Sequence, residues 1–87
     1  MLIKYTDEFK KRFYELPTSV QSIFRKQEIR VKVNWRDPRL HTKKLEGDPL
    51  TFSFRITRTY RVLFLFGNEK ELILLTIGHR KDVYRNR

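Results

Sequence analysis

Arg55, Arg58, Arg61, Arg80 and Arg85 punctuate the apolar C-terminal third of this chain, which closes on Ile77-Gly78-His79-Arg80-Lys81-Asp82-Val83-Tyr84-Arg85. Cations set into a small sheet, with a histidine and a tyrosine nearby, suit phosphate chemistry, and RNA in particular. Cutting RNA without a metal requires three things. The 2′-OH must lose a proton, the pentavalent phosphorane must be stabilised, and the leaving 5′-oxygen must gain a proton. A guanidinium suits the second task, because its planar fork holds two phosphate oxygens and stays charged at any relevant pH. Arg61 and Arg80 are assigned to the scissile phosphate, with Arg55 in support. His79 fits either proton-transfer role, since imidazole titrates near neutrality. Tyr84 fits two roles: a base, where cations lower the ordinary tyrosine pKa of ~10, or a ring that stacks on a nucleobase. Lys43, Lys44, Arg58, Lys81 and Arg85 are read as RNA-binding cations, and His41 is given no role. Each residue also has a structural reading. Arg61 lies on a strand apolar on both sides, where a buried ion pair with Glu69, Glu71 or Asp82 would serve the fold alone. Arg55 and Arg80 would be solvated charges, and Tyr84 would pack the tail onto the sheet.

Composition narrows the partners. The 87 residues carry 20 basic and 10 acidic side chains, a net charge of +10. Such a field draws polyanions: nucleic acid, an anionic membrane or an acidic protein. Residues 1–20 hold four basic and three acidic side chains, whereas residues 51–68 hold three arginines and no acid. With no cysteine and only His41 and His79, neither a disulfide nor a metal site is expected, and no cofactor is implied. No apolar run reaches the ~18 residues of a membrane span. The short stretch Met1–Tyr5 is no signal peptide, so the reading is cytoplasmic.

The elements that must position these side chains follow from periodicity. One domain is expected over residues 1–87. Leu2–Tyr5 reads as a strand. Thr6 then caps a helix whose first turn holds Asp7 and Glu8 against the positive end of the dipole. Phe9, Phe13 and Leu16 form its apolar stripe, and Pro17 ends it. Val20, Phe24, Gln27 and Val31 set a second helix running to about Val33, although Ile29–Trp35 also alternates as a strand would. Residues 36–50 read as a connection anchored by Leu40 and Leu45. Three strands follow. Phe52, Phe54 and Ile56 face one side with Arg55 on the other, and a tight turn lies at Arg58-Thr59. Tyr60–Phe66 should be central, and Leu72–Ile77 is broken by Gly78. The fold class is α+β: a β-α-α-β-β-β chain with a helix pair covering one face of a small, mainly antiparallel sheet, and the other face free.

Three features resemble the RelE/ParE superfamily of toxins from type II toxin–antitoxin modules. They are Leu16-Pro17 between two helices, Lys44-Leu45-Glu46-Gly47 ahead of the sheet, and Phe54-Arg55-Ile56-Thr57-Arg58-Thr59-Tyr60-Arg61-Val62-Leu63-Phe64 followed by Gly78-His79-Arg80-Lys81-Asp82-Val83-Tyr84. The resemblance covers almost the whole chain. It implies either messenger RNA cleavage in the ribosomal A site, as in the RelE branch, or DNA gyrase poisoning without catalysis, as in the ParE branch. Arg61, Arg80 and Tyr84 match the ribonuclease pattern, which ParE-type toxins commonly lack. The chain departs from that pattern at Thr57, where a second strand cation is usual; either Arg58 compensates from the turn or the second cation is missing. The resemblance further implies an acidic antitoxin partner, the ribosome and messenger RNA as targets, no membrane, and a free toxin that is monomeric, with higher-order complexes formed through the antitoxin.

Overall fold

Thr6 pins the start of the fold from both sides. Its hydroxyl accepts the Phe9 amide at 3.0 Å and donates to the Leu75 carbonyl at 2.7 Å, joining the first helix to the last strand. The computed structural model describes residues 1–68 and 70–84. In it, β1 (Leu2–Tyr5) leads into α1 (Asp7–Tyr14) and α2 (Thr18–Val33). A 3-10 turn (Pro38–Leu40) precedes β2 (Lys43–Leu45), β3 (Asp48–Arg55), β4 (Tyr60–Phe66), β5 (Glu71–His79) and α3 (Arg80–Val83). The five strands form one sheet in the order β1-β5-β4-β3-β2. The β1–β5 pair is parallel and the other pairs are antiparallel.

Helix α2 buries Val20, Phe24, Gln27 and Val31, so the 3.6-residue period prevails over the alternation in residues 29–35. Helix α1 ends two residues before its apolar stripe does. It stops at Tyr14, and Leu16 packs half-buried beyond its end. Phe24 lies between Phe9 and Phe13 at ring-centroid distances of 5.4 and 5.3 Å, and beneath them sit Phe54, Val62, Phe64 and Leu74 of the sheet. Each such side chain removed from water stabilises the fold by about 1.5–3 kcal/mol. A second aromatic group, Trp35 with Phe52 and Phe66, closes the sheet's far corner.

Three expectations are corrected. Residues 36–50 are not a bare connection. They hold a 3-10 turn and a hairpin in which Lys43 pairs with Ser53 and Lys44 with Phe52, turning at Gly47 with φ 83°. A three-residue edge strand is too short to show alternation, which is why the pattern hides it. Strand β5 does not break at Gly78 but runs to His79, with Gly78 paired to Arg61. The face opposite the helix pair is not wholly free. Helix α3 packs across β4 and β5 there, Val83 is buried, and Leu63 is fully buried outside the main core. Along β4–β5 the register slips once, leaving Leu75 without a partner. The bulge keeps Leu74 and Ile77 on the same core face although they are three residues apart.

Candidate functional site

Antiparallel pairing puts Arg55 of β3 directly opposite Arg61 of β4, both pointing away from the helix pair. Like charges in that relation oppose sheet formation. Neither is neutralised by an ion pair among the described residues. Arg61 Nη1 instead donates to the carbonyls of Thr57 at 3.2 Å and Arg58 at 3.4 Å, which hold the guanidinium against the 56–59 turn. Thr57, the position without the second strand cation, has a structural role instead. Its hydroxyl accepts the amides of Thr59 and Tyr60, both at 3.1 Å, and so shapes that turn. Arg55 Nε is buried with no hydrogen-bond partner. A charged donor in that state is costly to the fold.

Two adjoining clefts open on this face. One, of about 340 Å³, is lined by His41, Thr42, Lys43, Arg55 and Arg61 and has no acid in its wall. The other, of about 600 Å³, is lined by Lys43, Ser53, Tyr84 and the hairpin residues 44–48. Lys43 belongs to both, and its pairing with Ser53 sets it on the arginine face. The second cleft carries mixed charge, because Glu46 and Asp48 line it too. The Thr51 hydroxyl and the Leu50 amide hold the Asp48 carboxyl below the usual carboxylate range, so it stays anionic. Phosphate is therefore favoured in the acid-free cleft, with Tyr84 a neighbour across Lys43.

Gln27 positions much of this. Buried on α2, it donates from Nε2 to the Arg39 carbonyl at 3.0 Å and to the Arg55 carbonyl at 2.7 Å, while its Oε1 accepts Arg30 Nη1 at 2.8 Å. One amide thus ties the 3-10 turn before His41 and the strand end at Arg55 to the same helix. Its position on an apolar stripe gave no hint of that polar role.

The other expected residues are spread more widely. Arg58 is exposed in the turn beside Arg61. Arg80 opens α3 with its amide on the Thr59 carbonyl at 2.7 Å; its side chain is exposed and lines neither cleft. Lys81 is exposed on the same turn of helix. Lys44 is separated from the arginines by strand parity, with Nζ 6.0 Å from the centroid of the Phe52 ring, although it borders the hairpin cleft. His79 pairs with Tyr60 on the helix-pair side, its ring 5.9 Å from that of Tyr60. Its Nδ1 accepts the Lys81 amide at 3.1 Å and caps α3. Tyr84, the residue that closes α3, reaches the arginine face. Arg85 lies outside the described residues. His41, Thr42 and Ser53 line the clefts without having been singled out in the sequence. The available signal was the two-residue spacing of His41 from Lys43 and of Ser53 from Arg55, masked by the irregular stretch that contains the first pair.

No protein-family model and no curated protein matches the sequence. Solved structures match along nearly the whole chain. A YoeB/ParE toxin from Agrobacterium tumefaciens superposes with a TM-score of 0.77 at 14% identity, covering 92% of this chain and 99% of its own. RelE in the archaeal RelE–RelB complex from Pyrococcus horikoshii gives 0.76 at 19% identity, covering 93% and 96%. The isolated Escherichia coli RelE toxin gives 0.73 at 21% identity, covering 98% and 92%. The overall fold is shared at identities too low to carry over an activity. The chain has the fold of the RelE/ParE toxins.

Proposed function

We propose that this protein is the toxin of a type II toxin–antitoxin module, a cytoplasmic single-domain endoribonuclease that cuts messenger RNA on the ribosome without a metal. The observation that carries the reading is the Arg55–Arg61 pair: two cations held face to face, one with a buried unpartnered Nε, in a cleft with no acid in its wall. A fold that retains so unfavourable an arrangement is shaped for a bound anion. Arg55 and Arg61 hold the scissile phosphate and Lys43 its flank. Arg80, Lys81 and Arg58 are exposed around the same end of the sheet and hold the nucleic-acid backbone. Tyr84 supplies a hydroxyl or a stacking surface from the adjoining cleft. His79, turned to the helix-pair face, supports α3 and so the placement of Tyr84.

The partner implied is an acidic antitoxin. A +10 surface attracts an acidic, partly disordered segment that folds on binding, with an affinity that falls as salt rises. None of the described helices is long and apolar enough to cross a membrane.

Induced expression followed by primer extension on an abundant messenger RNA tests the reading. Cuts within codons, confined to translated regions and abolished by Arg61→Ala with its melting curve intact, are expected. Growth arrest with messenger RNA left whole would refute the nuclease and point to a protein target such as gyrase.

A further inference from the structure

With His79 on the far side of the sheet, the arginine cleft needs another group that exchanges protons near neutrality. His41 is the histidine in its wall, beside Thr42, Lys43, Arg55 and Arg61. It follows the 3-10 turn with φ 49° and ψ 45°, a left-handed conformation uncommon for a residue with a side chain, and its amide donates to the Pro38 carbonyl at 3.2 Å. The turn is fixed by Gln27 on the Arg39 carbonyl and by the Asp37 carboxylate, which accepts both the Arg39 amide and its guanidinium. Asp37 and Arg39 are therefore occupied with each other. The charged residues that line the cleft with His41 are Lys43 from β2, Arg55 from β3 and Arg61 from β4.

We propose that His41 is the group that removes the 2′-hydroxyl proton, an inference that rests on the ribonuclease reading above. The two clefts meet at Lys43, with His41 in one and Tyr84 in the other, so a phosphate on Arg55 and Arg61 has a proton acceptor and a proton donor in adjoining clefts. The step balances. An imidazole nitrogen of His41 takes the 2′-hydroxyl proton, and the 2′-oxygen bonds to phosphorus. The bond from phosphorus to the 5′-oxygen breaks, and that oxygen takes the Tyr84 hydroxyl proton. The products are a 2′,3′-cyclic phosphate and a 5′-hydroxyl; His41 releases its proton to water and Tyr84 regains one from it, which restores both groups. Arg55 and Arg61 carry the charge that builds on the phosphorane.

The test is single-turnover cleavage by purified protein on ribosomes programmed with messenger RNA. The variants are His41→Asn, which tolerates the left-handed backbone, and His41→Gln, which keeps more of the side chain's reach. Each is checked for an unchanged melting temperature and unchanged ribosome binding. Loss of about 100-fold or more in rate is expected, with partial rescue by added imidazole and a flattened pH–rate profile between about pH 5 and 8. Wild-type cleavage together with His41→Asn or His41→Gln rates within about threefold of it would overturn the role of His41 and leave the ribonuclease reading standing. A rate loss that imidazole does not rescue, accompanied by weaker ribosome binding, would make His41 a structural or binding residue and overturn the inference. An inert wild-type protein would overturn both.

Discussion

Arg55→Met separates what Arg55 costs the fold from what it does for a ligand. The wild-type residue leaves Nε buried without a partner and faces Arg61 directly. An unsatisfied buried donor costs about 1–3 kcal/mol, and a like-charge cross-strand pair adds about 0.2–1 kcal/mol. Methionine keeps an unbranched apolar stem of similar length, so the packing of the half-buried side chain is retained. The variant should be more stable by about 1–3 kcal/mol. For a chain of this size, 1 kcal/mol corresponds to roughly 4–8 °C, so a gain near the middle of the range raises the melting temperature by roughly 10 °C. The second arm uses inorganic phosphate. At about 100 times its dissociation constant, a ligand bound only to the native state adds about 2.7 kcal/mol, a shift the wild type should show and Arg55→Met should lose. Calorimetry with and without phosphate reads both. A variant no more stable than wild type would mean that the guanidinium is satisfied in place. Equal phosphate shifts in both proteins would mean that the anion binds elsewhere.

Gln27→Leu removes the donor to the Arg39 and Arg55 carbonyls in one step. It should cost about 2–3 kcal/mol in urea unfolding and lower phosphate affinity without touching a cleft residue; unchanged affinity would remove Gln27 from the positioning of Arg55. Burial and the hydrogen bond to the Glu28 carboxylate push the Tyr5 hydroxyl up to about 12. A raised folded-state pKa stabilises at pH below the ordinary value of ~10 and loses that contribution as pH climbs to 12, so the protein should lose stability across this window. Tyr5→Phe should flatten that loss, and a tyrosinate absorbance titration complete before pH 11 would contradict the shift.

The elements with strong local signals were legible. Thr6 as a cap, the Phe9–Phe13 stripe, the Val20–Phe24–Gln27–Val31 face of α2 and the centrality of β4 all follow from periodicity and capping within one segment. So did the arginine face in outline, because alternation alone sends Arg55 and Arg61 away from Phe54 and Val62. What the sequence could not decide was set by pairing between distant segments. The register that places Arg55 opposite Arg61 rather than one step along, the short edge strand that brings Lys43 beside Ser53, and the parity that turns His79 and Lys44 to the far face depend on the tertiary structure. The bulge at Leu75 is held by Thr6, nearly the whole chain away. A one-residue slip in any of these ladders would reverse which side chains share a face, and no local pattern in a three-residue strand specifies against it. The chain alone thus determined its first two helices, the burial of its core aromatics and its net positive charge, whereas α3 was not legible in it. The assembled sheet decided which cations meet, and it put His41 rather than His79 beside them.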